Sequence, residues 1–271
     1  MEEITVEKIE KMSYTDFVGF INQWNVLPGS FNTLSKWKVF SNLDKNSNIL
    51  EIACSTGFSS REIASLSNCK GKAFDISKLS IASAIKNKKI YTPKIKINYF
   101  VENAYKFNTK ERFTHILLGA TLKFFTKEEE IFKKCIAHLE EGGFILASPF
   151  YAKSQIPRGL ILKSQKIFGI TPTTEPYKDI IKIYRGLEVI YEERNNLVKE
   201  TDEELEHYCN STAERACKER KIKNKDLYDA IYKRLLEIKK TTNELRNYQG
   251  YLVLVLRYRK KIYPKRYVEL F

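Results

Sequence analysis

Short apolar runs alternate with helical stretches along the chain, and this alternation constrains the fold more than any other feature. Asn48–Ala53 reads as a strand entering a small-residue turn, and Ser59–Leu66 as the helix after it. Lys72–Ile76, Ile97–Val101, Thr114–Leu118 and Phe144–Ser148 read as further strands, with helical stretches at Leu79–Lys86 and Glu128–Leu139. Thr126 and Glu129 have the spacing of a capping box at the start of the latter helix. Gly142-Gly143 ends that unit. Strands and helices in this rhythm predict right-handed crossovers and a parallel sheet covered on both faces. In such a sheet ligands bind beyond the carboxyl ends of the strands.

The remainder extends the pattern. Tyr177–Arg185 reads as a short helix stopped by Gly186, Leu187–Tyr191 as a sixth strand and Tyr251–Tyr258 as a seventh. Between these two strands lies a charged helical stretch, Asp202–Arg246, read as two helices broken near Lys223-Asn224-Lys225. The expected architecture is α/β: a doubly wound, mostly parallel seven-stranded sheet with an N-terminal helical cover over 1–45 and a core over 46–151. Residues 152–271 complete the sheet and carry the helical insertion, at about 201–248, within the same domain.

Composition excludes several classes. The longest apolar run, Tyr251–Leu256, is far below the roughly 18 residues of a membrane-spanning helix. The start, Met1-Glu2-Glu3, is acidic where a secretion signal is basic. Cys54, Cys69, Cys135, Cys209 and Cys217 are scattered without a C-x-x-C pair or a Cys/His cluster, so no metal site is expected and a reduced, cytoplasmic setting is. The 271 residues include 47 Lys and Arg against 33 Asp and Glu, a net charge of +14. The surplus is five over residues 1–150 (21 basic, 16 acidic) and nine over 151–271 (26 and 17). Clusters at Lys218–Lys225 and Arg257–Arg266, the latter with Tyr258, Tyr263 and Tyr267 interleaved, could track a phosphate backbone or be ordinary solvated surface.

The chemical signal lies in the turn Glu51-Ile52-Ala53-Cys54-Ser55-Thr56-Gly57-Phe58. Small residues let backbone approach a ligand, and Glu51 places an acid at the strand end. Asp75 ends the second strand eighteen residues after Gly57. An acid at roughly this distance is the natural acceptor for two ribose hydroxyls in a nucleotide-binding sheet.

From Asn46 to Tyr151 the chain resembles the class I S-adenosylmethionine-dependent methyltransferases. LEIACSTGFSSREIA is similar to the family's E-x-G-x-G-x-G loop and following helix, and AFDISKLSIASA to its second strand and helix. NYFVENAYKF, FTHILLGATLKFF and HLEEGGFILASPFY resemble the ends of the third, fourth and fifth strands. The resemblance implies S-adenosylmethionine as cofactor. It implies that Glu51, Ala53, Ser55 and Gly57 hold the methionine part, Asp75 the ribose, and Ile76, Glu102, Asn103 and Ala104 the adenine end. Gly119 and Ala120 would form the other wall. NVLPGSFNTLSKW resembles a stretch that completes the site in some members, which would bring in Gly29 and Thr33; alternatively it caps the sheet with Phe31 and Trp37 as core. Ala53 and Ser55 replace the first two loop glycines, Thr114-His115 stands where relatives have Phe-Asp, and the Asp/Asn-Pro-Pro-Tyr segment of base-methylating enzymes is absent after the fourth strand.

No catalytic residue is forced, because a sulfonium is already a good leaving group and alignment dominates. Tyr151, after the fifth strand, is the one candidate for the acceptor pocket. His115 reads as a structural strand residue, His138 as a helix-end surface residue, His207 and Tyr208 as a solvated face or part of a lid, and Phe124-Phe125 as core or pocket wall. The expected function is methyl transfer to a small-molecule acceptor. The alternatives are an RNA or tRNA methyltransferase using the basic carboxyl-terminal surface, and a non-catalytic cofactor- or nucleic-acid-binding scaffold. No membrane partner is expected, and the sequence does not fix the oligomeric state.

Overall fold

The computed structural model describes residues 4–261. The strands are β1 (Asn48–Ile52), β2 (Lys70–Asp75), β3 (Lys96–Val101), β4 (Phe113–Gly119), β5 (Leu139–Ala147), β6 (Phe150–Ala152), β7 (Glu188–Asn196) and β8 (Gln249–Arg257). The helices are α1 (Val6–Lys11), α2 (Tyr14–Phe20), α3 (Ser30–Phe40), α4 (Phe58–Ser67), α5 (Lys78–Tyr91), α6 (Glu128–His138), α7 (Arg158–Phe168), α8 (Tyr177–Ile180), α9 (Asp202–Arg220) and α10 (Lys225–Leu245). Tight 3-10 turns follow β4 at Thr121–Phe124 and α8 at Ile181–Tyr184.

The sheet order is β3-β2-β1-β4-β5-β8-β6, with β7 on the other side of β8. β1 to β5 run parallel, and β8 is antiparallel to β5, β6 and β7. β5 and β6 lie in succession along one side of β8, pairing with its two ends at Leu254–Arg257 and Gln249–Tyr251. Ser148-Pro149 divides them, since proline has no N–H for the ladder. The architecture is thus the expected doubly wound sheet, with the fifth strand broken in two.

Both faces are covered, as continuous apolar strands require. Leu50, Ile52, Ile116, Leu118 and Ile145 pack with Ile131, Phe132 and Cys135 of α6. Ile49, Ala73, Leu117 and Leu146 pack on the other face with Trp37 of α3, Ile63 of α4 and Ile81 of α5. A third cluster stands apart: Ile9, Phe17, Phe20 and Ile21 from the N-terminal helices pack with Cys209, Ala213 and Ala216 of α9 and Ile231 and Leu235 of α10. The first two helices of the cover and the inserted helices therefore form one four-helix cap, while α3, also within 1–45, packs on the sheet instead.

Three arginines tie this cap together through carbonyls that helix ends leave unpaired. Arg234 donates to the Ile9 and Met12 carbonyls, Arg220 to Phe20 (2.7 Å) and Arg215 to Asn22 (2.9 Å). The cap docks on α5, where Gly19 leaves no room for a side chain: a Cβ there would lie 2.3 Å from the Ser80 nitrogen. Asn22 and Asn87 exchange two amide hydrogen bonds, of 3.0 and 2.9 Å, across the same seam.

Several expectations are corrected. The Thr126–Glu129 capping box does not form: Lys127 caps α6 without a side-chain bond, and the Thr126 hydroxyl lies 3.2 Å from that of Tyr105. The capping box is at α9 instead, where Thr201 accepts from the Glu204 N–H and Glu204 accepts from the Thr201 N–H. His138 is buried against Phe107, not on the surface. α7 was not anticipated. Among the described residues no helix is long and apolar enough to cross a membrane.

Candidate active site

Past the end of β1 the chain turns through Ala53 (φ +54°), Ser55 (φ +51°) and Gly57 (φ +77°) before α4 begins. All three positions that carry glycine in the resembling loops keep the left-handed backbone here. Ala53 and Ser55 are partly exposed, so their small side chains find space despite the strain. Gly57 has none: a Cβ would come within 2.8 Å of the Tyr99 ring and 3.0 Å of Ala84. That contact explains why this glycine alone persists. The Tyr99 hydroxyl bonds the Gly57 carbonyl (3.2 Å) and pairs with that of Ser60 (3.1 Å), bracing the turn.

Two carboxylates face this loop. Glu51 Oε2 accepts from the Ser60 N–H at 3.0 Å, and burial raises its pKa to about 7. Asp75 Oδ2 accepts from the Ser55 N–H and Oδ1 from the Ser77 N–H, both at 2.9 Å. Its pKa is also raised, chiefly by burial, with the Asp16 charge adding to the effect and the two N–H bonds opposing it. Among the described residues neither acid has a salt-bridge partner. A carboxylate can accept several hydrogen bonds at once, so the arrangement suits a ligand with hydroxyl or cationic groups.

The third strand's end closes another side. The Glu102 N–H donates to the Asp75 carbonyl at 3.1 Å, setting β3's end beside the acid. Asn103 turns its side-chain oxygen onto the Tyr105 N–H (2.9 Å), so it shapes the turn. Ala104 is buried in the core. Ile76 is 65% exposed immediately after Asp75, a flat apolar surface where a planar base could rest. Gly119 (φ +52°) ends β4 and Ala120 leads into the 3-10 turn, and the Gly119 carbonyl accepts from the Ser148 N–H at 2.7 Å.

Other predicted residues lie elsewhere or serve the framework. Gly29 (φ +75°) starts α3 against Tyr251, and Thr33 is fully buried with its hydroxyl on the Pro28 carbonyl at 2.6 Å. Tyr151 is half-buried on β6, against Gly250 and edge-on to Tyr177. His115 is buried at the start of β4, bonded to Thr114 (2.8 Å) and the Ser41 carbonyl (3.1 Å), and burial depresses its pKa to about 4. It is structural, as read. His207 is exposed on α9, and Tyr208 packs in the cap under Lys239.

Two residues of the site's surroundings escaped sequence reasoning. Tyr14 stacks near Phe124 (6.4 Å) and meets Phe168 edge-on (5.2 Å), bringing α2, the turn after β4 and α7 together. Its pKa is raised to about 12 by burial, with Tyr208 contributing. Asp16, two residues on, accepts from the Ser77 hydroxyl at 2.6 Å. No local pattern announces either, because their partners are 60 or more residues away. Cavities of about 370 and 280 Å³ lie at the amino-terminal edge of the strands, beside Arg112 and Lys133 and beside Asn42 and Asp44, away from the acid pair.

Comparison with known proteins agrees with this geometry. A family described as "Methyltransferase domain" matches residues 49–143, from β1 into β5. Among solved structures, the chain is similar to MccD protein at 23% identity over 87% of this chain and 100% of that one, with a TM-score of 0.70. It is similar to Haemonchus contortus phosphoethanolamine N-methyltransferase 2, solved with phosphomonomethylethanolamine and S-adenosylhomocysteine, at 15% identity over 96% and 61% of the two chains (TM-score 0.68). A Geobacter sulfurreducens SAM-dependent methyltransferase, solved with S-adenosylhomocysteine, shares 13% identity over 89% and 96% (TM-score 0.66). No curated protein matched in sequence. These identities speak to the fold, and the family match to the domain within it. Residues 49–143 carry a methyltransferase domain that runs through the core of the sheet, and the chain as a whole shares the fold of the S-adenosylmethionine-dependent methyltransferases.

Proposed function

We propose that the protein transfers the methyl group of S-adenosylmethionine to a small-molecule acceptor held between the strand ends and the cap. The observation that carries this reading is the pair of buried acids at adjoining strand ends, Glu51 and Asp75, without a salt-bridge partner among the described residues and facing a loop held in the left-handed conformation. The ligand offers two ribose hydroxyls, an ammonium and a sulfonium, which match these acids. Asp75 takes the ribose, and Ile76, Glu102, Asn103 and Ala104 form the adenine end. Glu51 and the turn through Ala53, Ser55 and Gly57 hold the methionine part, with Gly119 and Ala120 opposite. Gly29 and Thr33 support that wall through the Pro28 carbonyl.

The cofactor supplies an activated methyl group bound to cationic sulfur. The protein's task is to hold an acceptor lone pair about 3 Å from that carbon, in line with sulfur, an alignment worth on the order of 7–11 kcal/mol. Excluding water strengthens every charge interaction there. No general base is required unless the acceptor must lose a proton; Tyr151 remains the candidate at the far wall.

The cap supports a small acceptor. It brings Tyr14, Phe124 and Phe168 together beyond β4, where a nucleic acid would need an open groove. Its arginines are turned inward: Arg215, Arg220 and Arg234 serve backbone carbonyls. Arg257 and Arg259 pair with Glu188, whose pKa Arg257 foremost holds down at about 2. Tyr263, Arg266 and Tyr267 lie outside the described residues. The Haemonchus contortus protein's complex with phosphomonomethylethanolamine is a precedent on this fold for a small amine.

The test is to incubate the protein with cell extract and isotopically labelled S-adenosylmethionine and follow the label by mass spectrometry. Label is expected in a discrete metabolite. Label confined to RNA would favour the nucleic-acid alternative, and no transfer despite cofactor binding would favour the scaffold.

A further inference from the structure

The seam between cap and core is not neutral packing at one point. Asp16, in the first turn of α2, accepts from the Ser77 hydroxyl through Oδ1 at 2.6 Å, while Oδ2 accepts from Ser13 at 2.9 Å. The same Ser77 donates its backbone N–H to Asp75 Oδ1 at 2.9 Å, and its hydroxyl accepts from the Ser80 N–H to cap α5. One residue thus links a cap carboxylate to the acid assigned to the ribose. Around it, Ser80 and Ser83 donate to the Thr15 and Gly19 carbonyls at 3.1 and 2.8 Å, and the Gly19 contact fixes the register of α2 on α5. Asn87 reaches from this seam to the Thr56 carbonyl in the loop itself at 3.3 Å, and the Thr56 hydroxyl donates to the Gln23 carbonyl at 2.6 Å.

The seam along α5 is held largely by these hydrogen bonds, with Leu79 its apolar contact to the cap, whereas the cap's interior is apolar and internally pinned by arginines. A joint of hydrogen bonds between two apolar bodies is where a protein opens at least cost, since water can replace the bonds but not the packing. Ligand contacts on one side of such a joint bias its closure, and closure in turn raises affinity by the same factor.

We propose that Asp16 is a positioning residue for the cofactor: through Ser77 it latches the cap to Asp75, so that cofactor binding and cap closure favour one another. The inference rests on the assignment of Asp75 to the cofactor. It places the control of access to the strand ends in the cap as a unit, because Tyr14 lies on the same helix two residues before the latch. Bound cofactor orders Asp75, Asp75 orders Ser77, and Ser77 holds α2 down with its aromatic residues over the end of β4.

The experiment compares the parent, Asp16→Ala and Asp16→Asn by calorimetric titration with S-adenosylmethionine and by amide hydrogen exchange of residues 6–20, each with and without cofactor. In the parent the cofactor should slow exchange in α1 and α2. Asp16→Ala should weaken binding about tenfold, within the usual range of coupling between sites, and abolish that protection while its melting temperature without cofactor stays near the parent's. Asp16→Asn keeps an acceptor oxygen for Ser77 and should recover most of both. Parent-like binding and protection in Asp16→Ala, or an Asn variant no better than the Ala variant, would overturn the latch. A parent that does not bind S-adenosylmethionine would instead overturn the cofactor assignment itself.

Discussion

Glu51 sits at the end of β1 with its carboxyl out of water and no cation beside it among the described residues. Burial raises its pKa from the ordinary 4.5 to about 7. Between those values the folded state holds a proton that the unfolded state has released, so stability is highest below about 4.5 and falls as pH rises through about 7. The full effect is about 3 kcal/mol. Glu51→Gln should flatten this part of the curve, gaining stability at pH 8 relative to the parent while matching it at pH 4.5, as thermal melts across that range would read. A parent melting temperature independent of pH between 4.5 and 8 would contradict it. The two acids were visible in the sequence because acids ending apolar runs at this spacing have few other reasons to be there. The loop's backbone was visible only in part: two glycines were gone, and only the structure shows that Ala53 and Ser55 kept the glycine conformation.

The elements of the core could be read because each is short, strongly apolar and bounded by small residues. β1, β2, β3 and β4 fall where the apolar runs predict them. Where competing local signals existed, tertiary contacts chose. Thr126 lost its cap role to Tyr105, and the break in β5 came from Pro149 sitting between two stretches that β8 could pair separately. The docking of α2 on α5 carried no sequence signal beyond a glycine in a helix. Gly19→Ala would drive a methyl group into the Ser80 backbone, 2.3 Å from its nitrogen, so the helix must lift or shift. Overpacking of this kind costs about 1–3 kcal/mol. The substitution should lower thermal stability and accelerate amide exchange across α1 and α2, in contrast to the gain that alanine gives in an open helix; unchanged exchange there would show that the seam is looser than drawn.

In the whole molecule, helices from opposite ends of the sequence meet as one body. α1 and α2 contribute Ile9, Phe17 and Phe20, and α9 and α10 contribute Ala213, Ile231 and Leu235. The sequence presented these as a cover and a separate charged insertion, because a hydrophobic stripe does not say which distant stripe it will meet. Three of the basic residues, Arg215, Arg220 and Arg234, serve the assembly itself by donating to carbonyls of the N-terminal helices and the turn after them. The sheet places the acid pair at its carboxyl edge and the cap docks beside it on α5, so cofactor binding is the property on which the proposed function depends. Calorimetric titration of S-adenosylmethionine into the parent and Asp75→Ala examines that property. The parent should bind one equivalent, and the variant should lose roughly 1.5–3 kcal/mol of binding, about 10- to 150-fold in affinity, through the missing charge-assisted hydrogen bonds. Equal binding by the two proteins, or none by the parent, would contradict the placement of the cofactor at Asp75.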